Sequence, residues 1–489
     1  MREVQVEQKT EEPFIDIVLD TIEKNKQALV FVNTKRSAEK CAEEISKKIK
    51  LEKEEHLKLA EKILNVLPKP TKQCERVAKC ARKGVVFHHA GLHSEQKDLI
   101  EDAFRQGIVR IICCTPTLAA GLDLPAFRVI IKDLKRYAEY RGLTYIPVLE
   151  YLQMAGRAGR PKFDTFGEAI AITITEREAE AILEKYISGE PEEIYSKLAV
   201  EPVLRTYLLS LISSEVVQTK MQIETFFEKT FWAHQYKNVQ KLNDILDKVL
   251  MQLINWEFLQ ASETKYTATL LGRRVAQLYV DPLTAYNFVQ ALKRTNMTTI
   301  NSMSWLQLVS NTLEMRPLLK VRAKEYEQIQ TQLITQNSYL LQKEPDAFDP
   351  EYEDYINGFK TATMLQEWIE EKDEEALLET YDIRPGETRA KLKTADWLMY
   401  ALSELAILLQ QHHVIKEIAK TRTRLKYGVK EELLALLRLE GVGRVRARKM
   451  FNNKIKDLGD IRTVTLEQLA LIVGKKVAED IKKQAGENN

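Results

Sequence analysis

The chain has 489 residues, 44% hydrophobic and 29% charged, with 73 Lys plus Arg against 71 Asp plus Glu and a formal net charge of +2. That length exceeds what one hydrophobic core serves, so two to four domains are expected. The composition is that of a soluble globular protein and argues against a histone-like polycation, although a local basic groove would suffice for phosphate contacts. The five cysteines (Cys41, Cys74, Cys80, Cys113, Cys114) form no C-x-x-C pair, and His88, His89, His412 and His413 lack metal-ligand spacing, so no metal site is expected. No apolar run approaches the roughly 20 residues needed to span a bilayer, and Met1-Arg-Glu-Val-Gln lacks the apolar region of a signal peptide. The expectation is a cytoplasmic protein with reduced thiols and no membrane association.

From Pro13 to about Ile182 helix and strand signals alternate. A helical segment, Phe14 to Lys24, leads into an apolar strand at Ala28 to Val32, and a long charged helical stretch runs from Ser37 to about Lys83. Strands follow at Val85 to His88, Ile108 to Cys114, Val129 to Ile131 and Ala169 to Thr173. Interleaved strands and helices imply a parallel α/β sheet, and Ile111-Ile112-Cys113-Cys114 is apolar on both faces, as a covered sheet requires. Beyond Ser188-Gly-Glu-Pro191 strand signals nearly vanish. Residues 195 to 285 suggest three helices and a two-stranded hairpin around Trp256 to Thr269, the pattern of a winged helix. The pattern is helical from Thr284 to about Tyr427, and the last sixty residues read as a separate helical unit. The predicted architecture is multidomain α/β plus all-α: a motor-like α/β domain over 1–190, a winged helix over 191–284, a helical domain over 285–428 and a small C-terminal domain over 429–489.

Two segments carry chemistry in the α/β part. In Gln153-Met-Ala-Gly-Arg-Ala-Gly-Arg-Pro161, helical spacing would put Gln153, Arg157 and Arg160 on one stripe, with Gly156 and Gly159 asking for close backbone approach. Two guanidinium groups and an amide on such a helix suit triphosphate recognition. In Cys114-Thr-Pro-Thr-Leu-Ala-Ala-Gly-Leu-Asp-Leu-Pro125, a buried strand opens into a Thr-rich turn, a common place for nucleotide or nucleic-acid phosphate, with Thr115 and Thr117 offering hydroxyls. Phe31-Val-Asn-Thr-Lys-Arg36 and His88-His-Ala-Gly-Leu92 sit at further strand ends.

These four segments, in this order, resemble the C-terminal motor motifs of superfamily-two helicases, and the whole chain is similar to the Ski-two-like DNA helicases of archaea, the Hel three-oh-eight family. The resemblance implies a second RecA-like domain in which Arg157 and Arg160 are arginine fingers. Gln153 and Gly156 would line the phosphate side of an interdomain cleft, and Thr115, Thr117 and Asp123 would couple ATP to the grip on DNA. It also places a strand-separating hairpin at Leu134 to Pro147, with Tyr137, Tyr140, Arg141 and Tyr145 meeting the end base pair. No G-x-x-x-x-G-K-[ST] segment is present; Gly441-Val-Gly443 is followed by Arg444. The expectation is therefore that ATP and Mg2+ bind only at an interface with a first RecA-like domain missing from this sequence, carried by another polypeptide if the helicase is split, and that this chain alone does not hydrolyse ATP.

Two further segments suit a nucleic-acid strand. In the helix from Thr388 to Leu409, Ala395, Leu398, Met399, Leu402, Leu405, Ala406 and Leu409 form an apolar stripe, while Arg389, Lys393 and Trp397, with Tyr400 adjacent, lie elsewhere. A Trp among cations off the buried stripe suits base stacking; the resemblance makes this the ratchet helix. Leu439-Glu-Gly-Val-Gly-Arg-Val-Arg-Ala-Arg-Lys449 resembles a helix-hairpin-helix element, with Arg444, Arg446 and Arg448 facing phosphate. The expected function is the C-terminal motor half of an ATP-dependent 3′-to-5′ helicase acting on single-stranded and forked DNA. The alternatives are a non-enzymatic single-strand DNA-binding module and an RNA-directed relative.

Overall fold

A computed structural model describes residues 5–121, 123–138, 142–160, 164–198, 200–236 and 239–486. The chain forms two compact units: Met1–Ile194 together with Glu374–Arg389, and Tyr195–Asp373 together with Ala390–Asn489. Residues 374–389, grouped with the helical domain on sequence pattern, thus cluster with the first unit.

The first unit is built on a five-stranded parallel sheet in the order β2-β3-β1-β4-β7. The strands are β1 (Ala28–Phe31), β2 (Val85–His88), β3 (Ile111–Cys114), β4 (Arg128–Ile131) and β7 (Glu168–Ala171), with β5 (Lys135–Ala138) and β6 (Gly142–Tyr145) forming a separate antiparallel hairpin. β1 pairs with β3 from Ala28↔Ile111 and with β4 from Ala28↔Arg128. Every residue of β1 to β4 is buried, the mark of a sheet covered by helices on both faces. Arg128 is the one charge in that central block. It is 1% exposed, answered by Asp20 at 2.9 Å, Glu168 at 2.5 Å and the Thr21 hydroxyl at 2.7 Å. The charged stretch between β1 and β2 is three helices, Lys35–Lys48, Glu54–Leu64 and Lys72–Ala81, instead of one. Pro68 and Pro70 separate the second helix from the third, which Thr71 starts by capping the Cys74 N–H.

In the second unit, helices Glu201–Ser213, Lys220–Glu228, Phe231–Tyr236 and Val239–Asn255 precede a hairpin of β8 (Leu259–Ala261) and β9 (Tyr266–Ala268), and the helix Leu270–Leu278 follows. Gly272 lets that helix close on the hairpin, since a Cβ there would stand 2.0 Å from the Phe258 carbonyl oxygen. A buried Arg205–Asp281 pair, 2.6 Å and 2.8 Å, ties the first of these helices to the N-cap of Pro282–Arg294. Ser302–Ser310 packs against Tyr352–Ile369, with Trp305 and Phe359 wholly buried. Pro385–Leu408 buries Ala395, Leu398, Met399, Leu402, Leu405 and Ala406 as its apolar pattern predicts; Leu409 lies just past its end, half-buried. Four short helices from Arg444 to Gln484 close on their own core of Leu436, Met450, Ile461 and Ile481.

Candidate nucleotide and nucleic-acid interface

At the carboxyl ends of β1, β2 and β3, where open α/β sheets bind ligands, a cavity of about 530 Å3 is lined by Thr34, Lys35, Thr115, Thr117, Arg136 and Arg384, among others. Thr115 is buried and its hydroxyl lies 2.9 Å from that of Thr117, which is exposed. Thr34 caps the helix Lys35–Lys48 by accepting from Ser37 N–H, so Lys35 and Arg36 stand on the first turn at the cavity wall. The wall carries four cations and three hydroxyl groups, with Lys35 paired to Glu387, Arg136 to Glu150 and Arg384 to Glu39, and cations with hydroxyl groups suit a phosphate backbone.

One wall comes from far along the chain. Arg384 donates through Nε to Glu39 Oε1 at 3.0 Å, and Glu39 is 4% exposed. Glu39 also accepts from Arg76 at 2.6 Å, Gln73 at 3.1 Å and His89 Nε2 at 3.1 Å. Burial alone would push its carboxyl up, but the hydrogen bond from His89 and the charge of Arg384 outweigh that and hold it well below the usual carboxylate range. Burial lowers the His89 pKa, so the ring is neutral: Nε2–H donates to Glu39, and Nδ1 accepts from Gly91 N–H at 3.1 Å. Gly91 and Gly386 are required here. A Cβ on Gly91 would meet Arg384 Cδ at 2.3 Å, and one on Gly386 would meet the Leu92 carbonyl oxygen at 2.2 Å. Neither Glu39 nor Arg384 stands out in the sequence, because their chemistry exists only as a pair.

Gln153, Arg157 and Arg160 do not share a helical stripe. The helix Val148–Ala155 ends at Gly156, and Gly159 has φ +92°. Gln153 is exposed on the helix, whereas both arginines belong to the turn after it. The glycines do permit close approach, but to the chain itself: Gly159 N–H donates to the Ala126 carbonyl, and a Cβ on Gly167 would lie 2.2 Å from Gly159 N. Arg157 donates to the Ala119 carbonyl at 2.6 Å and pairs at 3.3 Å with Asp123, which is 94% exposed. Arg160 is held by Asp164, 1% exposed, at 2.7 Å and by Gln27 at 2.6 Å. The Arg160 hydrogen bond holds the Asp164 carboxyl down at about 2. The start of the same helix is fixed by Glu192, which accepts from Val148 N–H at 2.7 Å and Leu149 N–H at 3.2 Å.

The hairpin falls where the motifs place it. Lys135↔Tyr145 and Tyr137↔Leu143 are cross-strand pairs, so these four share one face. Tyr137 is 80% and Leu143 68% exposed, an apolar pair held in water. Tyr145 is half-buried, its ring covered by Lys135 at 4.7 Å and Lys185 at 5.5 Å. Tyr140 and Arg141 lie outside the described residues. Arg136 bridges the hairpin to Glu150 of the helix Val148–Ala155 at 2.9 Å. Leu143 and Arg136 were not singled out by sequence pattern, although strand alternation from Tyr145 would have found the first.

Arg389, exposed, pairs with Glu374 at 3.2 Å within the first unit. In the second unit Lys393 is exposed, and Trp397 is half-buried with its Nε1–H donating to the Leu278 carbonyl at 3.1 Å. Tyr400 is 36% exposed beneath the Arg422 guanidinium, 5.0 Å from its ring. At the C-terminal element Gly441 has φ +76° and Gly443 caps Arg444–Asn452, both with open space where a Cβ would stand. Arg446 donates to the Gly441 carbonyl at 2.7 Å, Arg444 lies 5.1 Å from the Trp368 ring, and Arg448 pairs with Glu371 and Glu432 at 2.7 Å and 2.8 Å. No helix among the described residues is long and apolar enough to cross a membrane.

Comparison with known proteins agrees with this layout. Residues 56–162 match the helicase conserved C-terminal domain, 167–260 a helix-turn-helix domain, and 303–428 domain 4 of the archaeal helicases. The chain is 38% identical over 480 residues to the ATP-dependent DNA helicase Hel308 of Pyrococcus abyssi, covering 96% of this chain and 66% of that protein. It is 38% identical over 483 residues to that of Methanocella arvoryzae, covering 96% and 64%. With that of Methanococcus vannielii it shares 34% identity over 520 residues, covering 96% and 67%. The chain thus spans about two thirds of the length of these curated relatives. With the helicase C-terminal, helix-turn-helix and archaeal domain-4 matches in order along it, and 34% identity over 67% of the Methanococcus vannielii protein, the chain belongs to the Hel308 family of ATP-dependent DNA helicases.

Proposed function

We propose that this chain supplies the second motor domain and the strand-gripping domains of an ATP-dependent 3′-to-5′ helicase acting on single-stranded and forked DNA. Its domains follow at 1–190, 191–284, 285–428 and 429–489, with 374–389 joined to the motor. The residues in hand include no phosphate-binding Lys-Ser/Thr loop, so ATP and Mg2+ would be held between this surface and a first RecA-like domain. Gln153, Gly156 and Asp123 line that side, and an arginine finger then completes the charge stabilisation of phosphoryl transfer. Arg157 is the better finger: beside its bonds to the Ala119 carbonyl, its charged partner Asp123 is exposed and readily exchanged, whereas Arg160 is paired with buried Asp164 and bonded to Gln27. Thr115 and Thr117 face the DNA backbone with Lys35 and Arg136 in the cavity at the sheet edge. Tyr137, Leu143 and Tyr145 form the wedge, and Tyr140 and Arg141, outside the described residues, are assigned the same role. Arg389, Lys393, Trp397 and Tyr400 track the released strand, with Arg444, Arg446 and Arg448 as a further phosphate contact.

The observation that carries this reading is the turn Gly156–Arg160, which presents a partly exposed guanidinium whose charged partner, Asp123, lies in solvent, on a backbone pinned by Ala126 and Gly167. The test is ATP hydrolysis with single-stranded DNA, with and without a polypeptide carrying a first RecA-like domain. Hydrolysis only with that domain is expected; equal hydrolysis without it overturns the proposal. DNA binding that no such domain converts into hydrolysis would indicate a binding module instead.

A further inference from the structure

Among the described residues of the second unit six non-glycine residues have positive φ, and Tyr279 is the aromatic one. Tyr279 ends the helix Leu270–Leu278 with φ 56°, in the left-handed region, and is 82% exposed. Glycine or asparagine ordinarily takes such a position, because a larger side chain there crowds the backbone. The tyrosine holds this conformation without burying its ring, which is left in solvent. The neighbours make the position rigid. Leu278 is 6% exposed, and its carbonyl accepts the Trp397 indole N–H at 3.1 Å. Val280 is 2% exposed, and Asp281 is locked to Arg205 at 2.6 Å. The ring therefore stands on a fixed backbone one residue from the carbonyl that orients Trp397. Tyr400, 36% exposed, belongs to the same neighbourhood: Arg274 donates to its hydroxyl at 3.4 Å while paired with Glu404, and Arg422 covers its ring while paired with Asp396. Exposed Lys393 lies one helical turn before Trp397.

We propose that Tyr279 is a base-stacking residue which, with Trp397, receives successive bases of a single-stranded nucleic acid. The inference rests on the reading of Pro385–Leu408 as a strand-tracking helix. Every base has a π-face, so a second aromatic adds affinity without adding sequence preference, as a translocating protein requires. The restrained backbone keeps the ring presented before the strand arrives, so little ordering cost remains on binding.

The test uses the full chain with a single-stranded oligonucleotide carrying 5-iodouracil. Irradiation is expected to crosslink Tyr279. Tyr279→Asn, which tolerates the left-handed conformation, is expected to weaken binding about 5- to 50-fold, with an unfolding midpoint equal to or above the parent's. Tyr279→Phe should bind within about twofold of the parent, since stacking needs no hydroxyl. A Tyr279→Asn protein that binds like the parent while Trp397→Ala is weakened overturns the role of Tyr279 and leaves the strand-tracking helix standing. If Trp397→Ala also binds like the parent, the reading of the helix itself fails. A lowered midpoint in Tyr279→Asn would make the tyrosine structural and likewise overturn the proposal.

Discussion

Glu39→Gln should loosen the loop that carries His89 and Gly91 without unfolding the sheet beneath it. The Glu39 carboxylate is 4% exposed and accepts from His89, Arg384, Gln73 and Arg76. Glutamine keeps the shape but removes the charge, leaving the Arg384 guanidinium, 11% exposed, without that ion pair. Removing one partner of a buried ion pair costs about 3–5 kcal/mol. Arg76 keeps Glu43 at 2.5 Å, so the low end applies, about 3 kcal/mol or roughly a hundredfold in a local opening equilibrium. Amide hydrogen exchange reads this directly. Gly91 N–H bonds His89 Nδ1 at 3.1 Å and Gly386 N–H bonds the Gly91 carbonyl at 3.0 Å, and both should lose about two decades of protection. A double-mutant cycle with Arg384→Met should show coupling of about 1–3 kcal/mol. Protection changed less than about threefold, or strictly additive losses, would refute the reasoning. The pH dependence has a definite sign. The folded pKa of Glu39 is depressed, so its contribution is fully present above the unfolded value of about 4.3 and is lost as pH falls through the lower folded value.

Asp164 behaves in the same sense with a readable endpoint: its carboxyl should titrate near 2 by NMR, and its stabilisation should disappear between about pH 4 and that value. Arg160→Ala should remove the largest cause of that depression and destabilise the first unit by about 2–3 kcal/mol in denaturant unfolding, since among the described residues Asp164 then keeps the ion pair with Lys26 at 2.6 Å alone. Gly167→Ala drives a Cβ to 2.2 Å from Gly159 N, a backbone atom that cannot swing away, and should cost about 1–3 kcal/mol or more. In the assembled helicase, Tyr137→Ser with Leu143→Ser should reduce duplex unwinding at least about tenfold while DNA-stimulated hydrolysis stays within about twofold, because only the exposed hairpin pair is altered.

Much of the first unit was legible because burial on both faces of a parallel sheet leaves short apolar runs, and Ile111-Ile112-Cys113-Cys114 is such a run. Helical periodicity misled at Gln153 to Arg160, where two glycines end the helix and the arginines leave it; the glycines themselves were the available signal. Arg384 and Glu39, 345 residues apart, carried no local signal at all, since only the fold brings them together. On Pro385–Leu408 the apolar stripe was correctly read, and Trp397 off that stripe is only half-buried, yet its indole N–H is held by a carbonyl of another helix that no wheel projection includes. In the C-terminal element the turn glycines were visible, but the carboxylates that engage Arg448, Glu371 and Glu432, lie outside the motif.

The most direct measurement is the steady-state rate of DNA-stimulated ATP hydrolysis by Arg157→Ala, combined with a first RecA-like domain. A guanidinium that meets charge only in the transition state predicts a fall in kcat of about a thousandfold, with KM for ATP and affinity for single-stranded DNA little changed. An unchanged kcat, or a loss that appears only as weaker DNA binding, would contradict the assignment of this turn to the nucleotide.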